Sequence, residues 1–228
     1  MEWRDLAFLH WRVDAALLQR LLPAGLSCDT FDGCGWVGVV PFRMAATRVR
    51  WLPPVPTTAG FLELNVRTYV RAGERPGVWF FSLDAASRLA VGGARAGFGL
   101  PYFHARMHLA RSGAAVHYES ERADRRAPPA RFAARWSPTG AFAAAAPGSL
   151  EHFLCERYCL YARRRGRLVC GEVAHSPWQL APAEVELACC DMTRLLGTGL
   201  GASPASVLAA RDLAVVAWSP RVIAEVTP

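Results

Sequence analysis

Apolar and polar residues alternate with a period of two along two stretches of the chain. In Phe61–Arg71, Leu62, Leu64, Val66, Thr68 and Val70 fall on one side, and Phe61, Glu63, Asn65, Arg67, Tyr69 and Arg71 on the other. In Tyr102–Ala110, Tyr102, His104, Arg106 and His108 share one side, with Phe103, Ala105, Met107 and Leu109 behind them. Successive side chains of a strand point to opposite faces, so each stretch predicts a strand with a chemically equipped face and an apolar one. Either that polar face looks into water or it lines a pocket. Exposed strand faces usually repeat Thr, Lys, Glu and Ser; the aromatic residues here favour partial enclosure.

The rest of the pattern predicts many short strands and few helices. Asp14 caps a short amphipathic helix carrying Leu17, Leu18, Leu21 and Leu22, which Pro23 and Gly25 end. Asp29–Gly35 is a turn, Gly35–Met44 a buried strand in which glycine alternates with larger residues, and Trp51–Gly60, with three prolines, a loop. After a Gly73–Gly77 turn, Val78–Leu83 is apolar on both faces and so internal. Asp84 is expected to cap a helix through Arg95, weakened by Gly92-Gly93. Tyr102–Ala110 turns at Ser112-Gly113 and returns as Ala115–Arg122; Arg125–Pro129 is a loop and Ala130–Trp136 another strand. Ser149 begins a helix over Leu150–Cys155, and Arg157–Arg163 with Leu168–His175 form a hairpin around an arginine-rich turn. Pro182–Cys190 mixes strand and helix signals, and Leu213–Trp218 is a last strand. The fold class this predicts is a β-rich α+β domain with strongly curved sheets, a single domain over residues 1–228.

Composition narrows the chemistry. The 26 basic residues are all arginine, so no side chain can form a lysine imine. They are scattered apart from Arg163-Arg164-Arg165-Gly166-Arg167, which reads as a solvated turn, so a net charge of +7 does not predict nucleic-acid binding. No apolar run reaches the ~18 residues of a membrane span, and Met1–Asp5 lacks the pattern of a signal peptide. Seven cysteines, an odd number without a Cys-x-x-Cys pair, fit free thiols in a reducing compartment. The expectation is a cytoplasmic protein.

Two polar-aromatic faces bring a carboxylate, imidazoles, phenols and guanidinium groups together, the set needed for acid/base work with an anion clamp. Glu63 is the candidate acid/base, Tyr102 and His104 proton donors or carbonyl polarisers, and Arg4 or Arg106 the anion holder, with Arg67 a candidate substrate-binding residue. Asn65, Trp36, Phe80, His175 and Trp178 are candidate substrate-binding residues, the last two at a pocket mouth. The alternative for Glu63 is an ion pair that only holds the sheet together. His104 and His108, about 13 Å apart along a strand, are too far apart to share an ion, and no metal is expected. No Gly-x-Ser-x-Gly, phosphate loop or dinucleotide fingerprint is present.

The stretches WRDLAFLHW (3–11), LLPAGL (21–26), GWVGVVPFRM (35–44), ELNVRTYV (63–70), GVWFFSLD (77–84), GLPYFHARM (99–107), SLEHFLCERYCLY (149–161) and GEVAHSPW (171–178) resemble the YqjF-like family, DUF2071, over nearly the whole chain. That family is more remotely similar to the acetoacetate decarboxylase superfamily. The resemblance implies a closed, cone-like β-barrel of curved antiparallel sheets around a central pocket. It also implies that Glu63 of Phe61-Leu62-Glu63 takes the place of a pocket glutamate, and Arg4 that of an N-terminal pocket arginine. Where the decarboxylases carry their nucleophilic lysine and a second lysine, this chain has Tyr102 and Phe103. The resemblance places their second pocket carboxylate on no particular acidic residue of this chain. Without an amine there is no electron sink for decarboxylation of a 3-oxo acid.

Together these readings predict a small-molecule enzyme doing acid/base chemistry of isomerase, dehydratase, lyase, cyclase or hydrolase type on a carbonyl- or carboxylate-bearing metabolite. It would work without a cofactor or Schiff base. The competing expectation is a non-catalytic binding or sensing protein using the same pocket; its aromatic residues suit either. Homo-oligomerisation is expected by family analogy alone.

Overall fold

The computed structural model describes residues 1–46, 60–197 and 200–225. In chain order the elements are β1 (Glu2–Arg4), β2 (Leu6–Val13), α1 (Ala15–Leu21), β3 (Ser27–Cys28), β4 (Gly35–Ala45), β5 (Gly60–Ala72), β6 (Arg75–Ala85), α2 (Arg88–Phe98), β7 (Tyr102–Ser112), β8 (Ala115–Arg122), β9 (Arg131–Pro138), β10 (Ala143–Ala144), α3 (Leu150–Cys155), β11 (Cys159–Arg164), β12 (Arg167–Ala174), β13 (Gln179–Cys190), β14 (Ser206–Ala210), β15 (Leu213–Ala214), β16 (Val216–Ala217) and β17 (Arg221–Glu225). A short 3-10 helix, Met192–Leu196, follows β13.

The strand pairings close into two rings that share β4, β5 and β6. The first runs β2–β4–β5–β6–β7–β8–β9–β13–β14 and back to β2. The second runs β1–β4–β5–β6–β11–β12 to β16, and returns to β1 through β15, separated from β16 by Val215 alone. The sheet divides at β6, whose first half pairs with β11 (Leu160 with Val78) and whose second half pairs with β7 (Leu83 with Tyr102), both in parallel. A parallel pair needs a crossover, and α2 supplies the one between β6 and β7.

The alternation of β5 therefore separates two interiors. Leu64 and Val66 pack with Val37, Val39, Tyr118, Phe132 and Trp136 in one apolar core. The opposite face looks into a second core built from Phe8, Trp36, Phe42, Tyr69, Phe80, Tyr102 and Trp178. Helix α3 adds Leu154 and Cys155 to that second core, and α2 adds Val91.

Most predicted strands form where expected. Asp14 caps α1 by accepting from the Ala16 and Leu17 amides, and Ser149 caps α3 through the His152 amide. The arginine-rich turn has positive φ at both Arg165 and Gly166, the backbone of a tight type I′ hairpin. Residues 51–59 of the expected loop lie outside the described residues.

Asp84 is a correction: it lies inside β6, and Ser87 caps α2 instead, accepting from the Ala90 amide. A strand continues through a carboxylate here because Arg122 reaches it from β8. Arg122 Nε donates at 2.9 Å and Nη2 at 2.7 Å, with both side chains fully buried. Pro182–Cys190 is strand, with a register irregularity between Leu187 and Cys189 that accounts for its mixed pattern. Leu213–Trp218 divides into two short strands. The N-terminal strand was not legible from alternation, since Leu6 to Trp11 are buried on both faces.

Candidate functional site

The site grows from the transverse rows of β2, β4 and β5. Phe42 lies opposite Glu63, Val40 opposite Asn65, and Gly38 opposite both Arg67 and His10. Side chains of one row point to the same side of a sheet, so Glu63, Asn65, Arg67 and Tyr69 enter the second core beside Phe8, His10 and Trp36.

At one end, Glu63 is 3% exposed. The Tyr102 hydroxyl donates to its Oε2 at 2.9 Å. Burial pushes the Glu63 carboxyl up to about 8, against a smaller opposing effect of that hydrogen bond. No guanidinium offsets the burial, so the group keeps its proton at neutral pH. Burial, and then Glu63, pushes the Tyr102 phenol well above its usual range. From the other core, the Tyr118 hydroxyl donates to the Glu63 carbonyl oxygen at 2.8 Å and reaches that of Phe42 at 3.3 Å. This fixes the backbone on which the acid stands. Glu63, Ala85 and His104 form one row across β5, β6 and β7. Ala85 leaves little bulk between the two titratable groups. His104 is half-buried, and burial followed by Arg88 holds it below the usual histidine value.

At the other end, His10 is completely buried and its Nε2 lies 2.6 Å from the Tyr69 hydroxyl. Arg67 Nη2 donates to the Leu154 carbonyl at 3.1 Å and lies 3.5 Å from the Tyr69 oxygen. The Arg67 guanidinium sits over the Phe8 ring at 5.2 Å and the Tyr69 ring at 5.6 Å. Burial and then Arg67 hold His10 well below the usual histidine range.

Five buried polar atoms of this region have no hydrogen-bond partner: Asn65 Oδ1, His10 Nδ1, Arg67 Nε, Trp36 Nε1 and Trp3 Nε1. Each such atom costs about 1–3 kcal/mol if left dry. A natural interior carries few of them, and these five fall around one face of β5 and its neighbours.

The remaining expected site residues divide. Phe80 and Trp178 line the same core, 7% and 2% exposed. His175 packs at a tilt against Tyr158 at 4.7 Å and Trp178 at 5.2 Å, and Trp178 meets Phe8 edge-on at 5.2 Å. An aromatic chain thus runs from the exposed Tyr158 to the ring under Arg67. Arg106 is not brought to the site: β7 leaves the shared wall after Ala85–His104, and Arg106 stands in solvent with Glu121 at 2.9 Å. Arg4 is likewise occupied, its Nε donating to Glu2 at 2.8 Å and lying 3.9 Å from Asp212. Two surface hollows, of about 490 Å³ beside Asp5 and Arg111 and about 400 Å³ beside Arg12 and Cys34, include none of the candidate residues.

His10 and Phe8 were absent from the expected site, and Tyr69 was placed on its face without a role. The signal for His10 is one histidine within an otherwise apolar run, Leu6–Trp11. A second signal is Gly38, which lets the His10 ring and the Tyr69 hydroxyl close over the strand: a Cβ there would lie 3.1 Å from His10 Cδ2 and 3.2 Å from the Tyr69 oxygen. Among the described residues, no three His, Cys, Asp or Glu side chains are grouped to hold a metal ion.

Comparison with known proteins agrees with this architecture. The enduracididine biosynthesis enzyme MppR superposes with a TM-score of 0.68 at 13% identity, over 99% of this chain and 88% of that one. Acetoacetate decarboxylase from Legionella pneumophila gives 0.64 at 14% identity, over 98% and 87%. An acetoacetate decarboxylase-like enzyme from Sphingomonas wittichii gives 0.62 at 17%, over 98% and 92%. At these identities the likeness is one of fold, and the fold is the curved-sheet, acetoacetate decarboxylase-like one. In sequence, the chain is 40% identical over 216 residues to the uncharacterized protein YqjF of Bacillus subtilis, covering 95% of this chain and 88% of that protein. The model of the family of uncharacterized conserved proteins DUF2071 matches residues 1–222, and the chain belongs to that family.

Proposed function

We propose that this protein is an enzyme that moves protons on a small carbonyl-bearing metabolite, of isomerase or lyase type, without an imine. The observation that carries the reading is Glu63: a carboxyl 3% exposed, without a cationic partner, hydrogen-bonded to Tyr102. A structural glutamate in this position would be paired with an arginine. This one is kept as a neutral acid, which donates a hydrogen bond to a carbonyl oxygen and takes up the charge that develops there. His104, in the same row and held neutral, is the base for the carbon-bound proton. Pairs of titratable groups pushed to opposite protonation states are the pattern of acid/base sites. The proposed step needs only these side chains. Because the chain has no lysine, the imine route to decarboxylation is closed to it.

The test is deuterium incorporation. Purified protein is incubated in D2O with a panel of small 2-oxo and 3-oxo acids and ketones, and exchange at the carbon next to the carbonyl is followed by NMR. Exchange with at least one member, lost in Glu63→Gln, is expected. Exchange that persists in that variant ends the role of Glu63. A panel that is bound but never exchanged moves the protein to the binding or sensing class.

A further inference from the structure

We propose that Cys159 and Cys170 form a modification site, a thiol pair that a low-molecular-weight disulfide oxidises to an intramolecular disulfide and that a small thiol reopens. The pair lies on the hairpin of β11 and β12, in a third apolar cluster separate from the core that Glu63 faces.

The register of the hairpin sets Cys159 opposite Glu172 and Tyr161 opposite Cys170, so the four side chains share one side of the sheet. The Val173 amide donates to the Tyr158 carbonyl at 3.0 Å. The next pairs along, Cys159–Glu172 and Tyr161–Cys170, alternate between hydrogen-bonded neighbours and are the sites where facing side chains stand closest. The two sulfurs meet diagonally, Sγ to Sγ at 3.2 Å, and both residues are 3% exposed. Leu26, Val70, Tyr161 and Leu168 complete their cluster. Beside Cys159 that cluster reaches the surface: Arg75 Nη2 donates to Glu172 Oε1 at 2.6 Å, and these two side chains are 50% and 37% exposed. A small oxidant has a solvated ion pair to displace there, where one is worth about 0–1 kcal/mol.

The two thiols are not equivalent. Burial pushes the Cys28 and Cys190 thiols up to about 11 and about 12. Cys159 is held below the usual thiol value, because the Cys170 thiol donates to its sulfur; burial opposes this and the nearby Arg75 adds to it. Cys170 is pushed up by the same hydrogen bond and by burial. Cys159 is therefore the nucleophile and Cys170 the resolving thiol. The Cys159 thiolate attacks one sulfur of the small disulfide, forms a mixed disulfide and releases one small thiolate. Cys170 then attacks Cys159 Sγ and releases the second. The protein sulfurs give up two electrons, the small disulfide takes them up as it becomes two thiols, and the cysteine protons pass to the departing thiolates. Backbones of diagonal neighbours stand about 7–8 Å apart, wider than the about 4.4–6.8 Å of a relaxed disulfide. Closing the bond draws the strands together, and a disulfide under such strain is readily reduced. That suits a reversible modification better than a structural bridge.

The test starts from the full chain, reduced and freed of reductant, and incubates it folded with glutathione disulfide at neutral pH. Remaining thiols are then alkylated, counted and mapped by mass spectrometry. Loss of two of the seven thiols is expected, with the peptides that carry Cys159 and Cys170 joined, and reduced glutathione should restore both. Cys170→Ser should stop with one glutathionyl group on Cys159. Cys159→Ser should acquire its group on Cys170 about tenfold more slowly, since the resolving thiol is the weaker nucleophile. The peptide map of the unaltered chain gives the readout if a serine variant does not fold. Seven thiols left intact, a link that joins other cysteines, a link that forms only in urea, or a glutathionyl group that persists on the unaltered chain without closing the bond would each overturn the proposal.

Discussion

Replacing Glu63 by glutamine should make the protein more stable as the pH rises, in a way that measures the acid directly. Unfolded, the glutamate has its ordinary value near 4.5; folded, burial raises it to about 8. Between those values the unfolded chain has lost the proton and the folded chain still holds it. Folding therefore takes up a proton, and stability is full below the lower value and falls as pH rises toward the upper one. The slope approaches 1.4 kcal/mol per pH unit, and the whole interval amounts to about 5 kcal/mol. By pH 7 about 3 kcal/mol has been lost, a large share of the stability of a typical domain. Glutamine keeps the shape and can accept the Tyr102 hydrogen bond, but does not ionise. Urea unfolding of both proteins at pH 5, 6, 7 and 8 should show the difference growing in favour of the variant, while deuterium exchange disappears. A difference that stays flat with pH would mean that Glu63 ionises normally in the fold, and the neutral-acid argument would fall.

Other consequences can be measured alongside. Tyr102→Phe removes the hydrogen bond that partly offsets burial, so the alkaline loss of activity should move to higher pH; an unmoved or lowered limb in a pH–rate profile would contradict this. Asp84→Asn leaves Arg122 buried without its charge partner and should cost about 3–5 kcal/mol in denaturant unfolding; a loss below about 1 kcal/mol would show the pair to be dispensable. Gly77→Ala places a Cβ 2.6 Å from the Cys159 carbonyl oxygen and the Tyr161 ring. It should destabilise by about 1–3 kcal/mol, read as a lower melting temperature. Arg106→Ala, on the outer face with Glu121, should change stability by less than about 1 kcal/mol.

The sequence by itself determined most of the strands and two of the three helix caps, Asp14 and Ser149. The alternation in Phe61–Arg71 survives intact in β5, because each side of that strand is buried in a different core and a slip of one residue would exchange them. The absence of lysine closed the imine route before any geometry was known. The same alternation in Tyr102–Ser112 misled, since that strand starts inside the shared wall and ends in solvent: Tyr102 reaches Glu63 while Arg106, on the same face, meets water. Asp84 read as a cap because its partner Arg122 is 38 residues away, a distance at which no local pattern operates. What only the tertiary structure decided is which charges go unanswered. Whether Glu63 keeps its proton depends on every group around it, brought together from strands remote in sequence. Periodicity assigns a side chain to a face; electrostatics depends on what the opposite wall supplies.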